Sequence, residues 1–148
     1  MDADGDLRVR LEVDGGSRGN PGPAGAGVVV RDDSDGQVLQ EFGIFLGKAT
    51  NNVAEYRGLL AGLQRAAELG AHEVEVVSDS ELLVRQMTGQ YRVRNKGLLE
   101  LYEQAQQFVG RFKKCSFRHV RREQNTAADR LANQAMNLKR DVDEATQA

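Results

Sequence analysis

The chain has 148 residues, 40% hydrophobic and 28% charged, with a net charge of −2. That suits one domain with a real core, and no apolar run approaches the roughly 20 residues that span a bilayer. A single cysteine, Cys115, excludes an internal disulfide and makes a reducing cytoplasm the expected compartment; the opening MDADGDLRVR is too acidic and polar for a secretory signal.

Residues 1–6 read as a frayed tail, 7–138 as one domain and 139–148 as a loose polar tail. Leu7, Val9, Leu11 and Val13 alternate with charged residues, which predicts a strand from Leu7 to Val13. DGGSRGNPGPAG follows, dense in glycine and proline, and reads as a turn or loop. Ala26 to Val30 is a second strand, Asp32 to Gly36 a turn, and Val38 to Leu46 a third strand. From Asn52 to Leu69 the period changes: Tyr56, Leu59, Leu60, Leu63 and Ala67 share a helical face, and Gly70 ends it. Val74 to Val77 is a short strand, Ser80 to Met87 a short helix, and Leu98 to Phe112 an amphipathic helix. Cys115 to Val120 is the last strand, and Thr126 to Leu138 a helix that turns Leu131, Ala132, Ala135 and Met136 inward. Short connections make the first three strands antiparallel, and helical crossovers make the later ones parallel. The expected class is α/β, a mixed sheet covered by helices.

Charge is unevenly spread. Residues 1–84 hold 7 Lys/Arg against 15 Asp/Glu, whereas residues 85–122 hold 10 against 2. An acidic part that holds cations beside a basic part that holds phosphates suits a nucleic-acid partner. An unevenly solvated surface has the same composition.

Four acids stand at telling places. Asp14 ends the first strand and Asp79 the fourth. If those strands are parallel neighbours, both carboxylates leave the same edge of the sheet, where α/β folds build their sites. Glu55 and Asp129 each lie in the first turn of a helix. Each acid also has a structural reading. Asp14-Gly15 is an ordinary turn pair, Asn52-x-x-Glu55 and Thr126-x-x-Asp129 resemble capping boxes, and Ser78-Asp79-Ser80 can cap the short helix. Together, however, four acids at one edge repel each other unless cations neutralise them. Oxygen ligands suit Mg²⁺ or Mn²⁺. The only other metal-binding candidates, His72, His119 and Cys115, lack zinc-like spacing.

VDGGSRGNPGPAGAGVVV (13–30), ATNNVAEYRGLLAGL (49–63), VVSDSELLV (76–84) and NTAADRLANQAM (125–136) together resemble type 1 ribonuclease H, in that family's order and over roughly residues 7–138. The resemblance implies a five-stranded mixed sheet of order 3-2-1-4-5 flanked by helices. It implies that Asp14, Glu55, Asp79 and Asp129 are the catalytic, metal-binding acids. It further implies an RNA–DNA hybrid as partner, a monomer, and hydrolysis of the RNA strand with two Mg²⁺ ions about 3.5–4 Å apart, with Mn²⁺ as a possible substitute. Products would carry 5′-phosphate and 3′-hydroxyl ends. Selectivity for RNA requires reading the 2′-hydroxyl, and the bare backbone of Gly15 and Gly16 allows close approach. Family matching assigns Asn20, Asn51 and Asn52 to groove or backbone contacts and Thr50 to a DNA phosphate; turn and capping chemistry is their structural reading.

Three departures from the family pattern stand out. GQYRVRNKG (89–97) is short where many members carry a long basic protrusion; Tyr91 there reads either as a stacking platform for the DNA strand or as packing. VRREQN (120–125) lacks the histidine that many members place before the last acid, and Arg122 is the candidate replacement near the leaving phosphate or a phosphate-steering arginine. Glu81 stands where a glutamine is common, with no consequence assigned. The alternative functions are a hybrid- or double-stranded-RNA-binding module with weak or no cleavage, a resolvase or integrase core, and a structural Ca²⁺ domain. The intact quartet weighs against the first, the T-N-N-x-x-E and D-G-G-S-x-G-N-P motifs against the second, and the lack of a twelve-residue calcium loop against the third.

Overall fold

The computed structural model of the protein describes residues 6–143. Six strands and four helices follow in the order β1 (Arg8–Ser17), β2 (Gly22–Asp32), β3 (Val38–Ala49), α1 (Asn51–Glu68), β4 (Glu73–Ser78), α2 (Glu81–Met87), α3 (Lys96–Val109), β5 (Lys114–His119), α4 (Thr126–Leu138) and β6 (Val142–Asp143). The strands form one sheet of order β5-β4-β1-β2-β3-β6. β1, β2, β3 and β6 pair antiparallel, and β4 and β5 join β1 in parallel.

The alternation in β1 has a direct consequence. Val9, Leu11 and Val13 point to one face, where they meet Val28 and Val30 of β2 and Leu59 and Leu63 of α1. Leu83 of α2 and Leu98 and Ala105 of α3 complete that core. The opposite face of the sheet is covered by α4, which buries Ala128, Leu131, Ala132 and Ala135. Each large apolar side chain fully withdrawn from water contributes about 1.5–3 kcal/mol against the entropy of ordering.

Three expectations need correction. The sheet has six strands rather than five, because Val142–Asp143 pairs with Phe42 and Gly43 at the β3 edge. The loose tail expected from 139 onward therefore does not hold at 141–143: Asp141 Oδ1 accepts from the Phe45 amide at 2.9 Å, and Val142 is buried. A two-residue strand is too short to carry alternation. The remainder of that tail, 144–148, and residues 1–5 of the expected frayed start lie outside the described residues.

The stretch read as a loop is mostly strand. β1 runs on to Ser17 and β2 begins at Gly22, with Asp14 opposite Gly27 and Ser17 opposite Ala24. Two of the glycines here, Gly15 and Gly25, lie directly under the backbones of α1 and α4, where a side chain would not fit.

Candidate active site

β1 and β4 lie side by side in parallel register, with Val13 opposite Ser78. Asp14 and Asp79 are the next residues, so both leave the same edge. Glu55 reaches that edge because α1 packs close to the strand: a Cβ on Gly15 would overlap the Ala54 carbonyl, and one on Gly58 would stand 3.2 Å from the Asp14 carbonyl oxygen. Asp129 arrives from the other face by the same device. A Cβ on Gly27 would overlap the Ala128 carbonyl, and one on Gly43 would overlap that of Leu131. Bare backbone in β2 and β3 thus lets α4 sink onto the sheet.

The four acids converge. Ligand oxygens of Asp14, Glu55 and Asp79 all lie within 4.8 Å of one another. Asp129 lines the same cavity and stands close enough to Asp14 to raise its carboxyl. Burial, then the charge of Asp79 and the contact with Asp129, push the Asp14 carboxyl up to about 8. Burial, then the charges of Asp14 and Asp79, push Glu55 up to about 9, although a hydrogen bond from the Gly15 backbone works the other way. Glu55 Oε2 is buried with no hydrogen-bond partner. The quartet lines a cavity of about 410 Å³ together with Arg18 and Arg122. Such a cluster fits a hard cation: several oxygen donors, mutual repulsion, and one buried oxygen left unsatisfied.

A sequence profile described as "Reverse transcriptase-like" matches residues 12–135. The chain is 53% identical over 130 residues to the bifunctional protein Rv2228c of Mycobacterium tuberculosis, an overlap of 88% of this chain and 36% of that protein. The solved N-terminal RNase H domain of Rv2228c matches with a TM-score of 0.87 at 52% identity, over 90% of this chain and 96% of that one. Ribonuclease HI of Halobacterium salinarum is 41% identical over 129 residues, 87% of this chain and 64% of the relative. LC11-RNase H1, solved in complex with an RNA/DNA hybrid, matches with a TM-score of 0.84 at 40% identity, over 88% of this chain and 98% of that one. This chain belongs to the type 1 ribonuclease H family. It spans 36% of the length of the mycobacterial relative and 64% of the archaeal one.

Within this ribonuclease H site, the capping alternatives are decided residue by residue. Thr50, not Asn52, caps α1, its Oγ1 accepting from the Val53 amide at 3.2 Å. Glu55 therefore does not close a capping box, and its backbone partner is Gly15. Asn125, not Thr126, occupies the cap position of α4 and makes no side-chain cap bond, so Asp129 closes no box either. Ser80 does cap α2, with Oγ accepting from Leu83 at 3.2 Å, which leaves the neighbouring Asp79 to the cluster.

The other expected contact residues surround the cavity. Gly15 and Gly16 line it, but they differ: α1 covers Gly15, while nothing lies within 4 Å of where a Cβ on Gly16 would stand. Asn20 Oδ1 accepts from the Asn51 amide at 3.0 Å, and Asn51 Oδ1 accepts from the Ser17 amide at 2.8 Å. These bonds lock the β1–β2 hairpin tip to the start of α1. Asn52 is exposed beside Glu55 and Leu82 in a shallow groove between α1 and α2. Tyr91 is 48% exposed, and the Arg85 guanidinium lies over its ring at 5.3 Å. The 89–95 connection is short and carries no protruding helix. Arg122 Nη2 lies 3.9 Å from Asp129 Oδ1. Glu81 pairs with Arg85 at 2.8 Å, which compensates its charge on α2 itself.

Two further residues act on this site without having been singled out from sequence. Asn125 is 1% exposed and donates from Nδ2 to the Val13 carbonyl at 2.9 Å, tying the start of α4 to the residue before Asp14. Asn133 donates from Nδ2 to the Asp129 carbonyl at 3.0 Å and accepts from Arg18 at 3.3 Å. Asn125 stood inside the N-x-x-x-D motif, but Thr126 beside it offered an ordinary cap. Nothing in the pattern marked Asn133.

Proposed function

We propose that this chain is a divalent-metal-dependent endoribonuclease that hydrolyses the RNA strand of RNA–DNA hybrids. The observation that carries this reading is the convergence of Asp14, Glu55 and Asp79 at one sheet edge, with Asp129 lining the same cavity. Its support from similarity is the sequence match to Ribonuclease HI and the structural match to an RNase H1 solved with a hybrid.

The four acids are the residues that would hold two Mg²⁺ ions, or Mn²⁺ in their place. Bound divalent cations neutralise the quartet and supply Lewis-acid polarisation of a phosphate oxygen and of water. The protein's own part is placement. Gly15 orients Glu55 through its amide. Asn125 holds Asp129 against the end of β1. The open backbone of Gly16 leaves room for a ribose, whose 2′-hydroxyl distinguishes the strand to be cut. Thr50, Asn51, Asn52 and Tyr91 form the flank on which the DNA strand rests, by shape and backbone contact rather than base reading. The chain acts as a monomer and leaves 5′-phosphate and 3′-hydroxyl ends. A reducing cytoplasm suits Cys115, a free thiol that burial pushes up to about 12 and so keeps protonated. Among the described residues no helix is long and apolar enough to cross a membrane.

The test offers labelled RNA–DNA hybrid, double-stranded RNA, double-stranded DNA and a Holliday junction with Mg²⁺, using Asp14→Asn as control. Cutting confined to the RNA of the hybrid, and lost in Asp14→Asn, is expected. Hybrid binding without cleavage by the unaltered protein would instead identify a binding module, and junction cleavage a resolvase.

A further inference from the structure

The cavity that holds the quartet has a positive rim. Arg122 approaches α4 at Asp129, and Arg18 approaches it at Asn133, four residues on. Four residues along a helix is about one turn, or roughly 6 Å. The two guanidiniums are held differently. Arg122 faces a carboxylate, as do Arg10, Arg31, Arg85 and Arg118, each of the last four within 3.5 Å of an acid. Arg18 is held by the neutral amide of Asn133, and among the described residues it forms no ion pair. One of its five donors is used there, which leaves the rest of the fork available.

The attachment is hydrogen-bonded at both ends. Asn133 gives its Nδ2 to the Asp129 carbonyl, so its oxygen is the atom turned to Arg18. The hairpin tip that carries Arg18 is closed by the Arg18 amide donating to the Pro23 carbonyl at 2.8 Å. On its other side the tip is tied to α1 through Asn20 and Asn51. An exposed arginine hydrogen-bonded at its head and tied along its backbone has less freedom to lose on binding than an untethered one.

We infer that Arg18 binds a phosphodiester of the cleaved strand, next to the one that enters the acid quartet, with Asn133 as the residue that positions it. This rests on the hybrid-cleaving reading above. The strand is specified by the cavity: Arg18 lines the same space as Asp14 and Asp129, so the phosphate it meets belongs to the chain threaded through that space. A guanidinium fork matches two oxygens of a phosphate, which a lysine ammonium does not.

The experiment measures hybrid cleavage and binding by the full chain as wild type, Arg18→Ala and Arg18→Lys, with thermal midpoints as a fold check. Hybrids carry a single neutral methylphosphonate walked along either strand. Arg18→Ala is expected to raise KM about tenfold, the size of one charge-assisted hydrogen bond. It is expected to lower the slope of log affinity against log salt by about one, with the larger effect on KM rather than kcat. Arg18→Lys restores the slope but only part of the affinity. At one linkage of the RNA strand, the methylphosphonate costs wild type about tenfold and costs Arg18→Ala nothing further. Unchanged KM and slope in Arg18→Ala, additive penalties at every linkage, or coupling found only on the DNA strand would each overturn the assignment. If wild type cleaves no hybrid at all, the broader reading fails instead, and the two failures are separated.

Discussion

Asn125 donates from a fully buried side-chain amide to the carbonyl of Val13, 2.9 Å away, so that the start of α4 is bonded to the residue that precedes Asp14. One hydrogen bond therefore links the two elements that carry Asp14 and Asp129. Asn125→Ala leaves the Val13 carbonyl unsatisfied at a buried position and is expected to cost about 1–3 kcal/mol. For a domain of this size that lowers Tm by about 2–4 °C per kcal/mol. Metal affinity should fall as well, because Asp129 is no longer anchored beside Asp14. Asn125→Asp cannot donate and adds a fifth carboxylate, so it should be worse than alanine by both measures. Thermal melts and Mn²⁺ titration calorimetry check the pair.

Gly27 is the deepest part of the cradle under α4. Gly27→Ala places a Cβ onto the Ala128 carbonyl, backbone that cannot swing aside. Overpacking of this kind costs about 1–3 kcal/mol when the surroundings can relax. Here the relaxation is a lifting of the α4 turn that carries Asp129. Cleavage should fall by more than the loss of folded protein explains. Gly36→Ala serves as the contrasting case: nothing crowds its Cβ position, and its φ of +76° gives it a purely backbone cost. It should lower Tm without touching the activity of the folded fraction.

The raised carboxyls fix the pH response of the metal-free protein. Asp14 moves from 3.8 to about 8 and Glu55 from 4.5 to about 9 on folding. Between those limits the folded state binds more protons than the unfolded chain, so stability falls as pH rises. The contribution is fully present below about pH 4 and is lost through pH 8 to 9. Melting in EDTA should therefore show Tm declining across pH 5 to 9, with other titrating groups held in common by a matched Mg²⁺ series. Added Mg²⁺ should flatten the decline, because a cation favours the ionised carboxylates. Parallel curves with and without metal would contradict this.

Glu55→Gln separates activity from stability. The buried Oε2 has no partner, so an ionised Glu55 in the metal-free state is costly. At pH 8 Glu55 must take up a proton on folding, so replacing it with a neutral amide should raise metal-free stability there by about 1–3 kcal/mol. The same change removes a ligand and should cut Mg²⁺-dependent cleavage by at least about 100-fold. A variant that is both more stable and inactive is the expected signature of a residue kept for binding a cation rather than for folding.

Much of this was legible in the chain itself. The alternation of Leu7 to Val13, the helical face of Tyr56 to Ala67 and the short helix at Ser80 each produced the expected element, hairpin and crossover rules gave the antiparallel and parallel senses of the strands, and the order from β3 to β5 is the one the resemblance to type 1 ribonuclease H implied. The acids stood out because each sits at the end of a strand or the start of a helix, but turn and capping chemistry explained each one singly, and it was the resemblance that joined the four. What periodicity could not reveal is where backbone touches backbone. Gly25, Gly27 and Gly43 look like gaps in a strand pattern, and only the seated helix explains them. Asn125 was hidden behind Thr126, whose capping chemistry was the simpler expectation. β6 escaped because pairing of two residues leaves no pattern to read. Arg18 and Asn133 lie 115 positions apart, and only the folded chain brings them together.

Cleavage of this kind requires the quartet to behave as one cation centre, and a crystal soaked in Mn²⁺ addresses that most directly. Anomalous density is predicted between Asp14, Glu55 and Asp79, with a second peak bounded by Asp14 and Asp129, and both should vanish in Asp14→Asn. An empty cavity at saturating Mn²⁺, or Mn²⁺ held elsewhere while Asp129 or Glu55 turns away from Asp14, would contradict it.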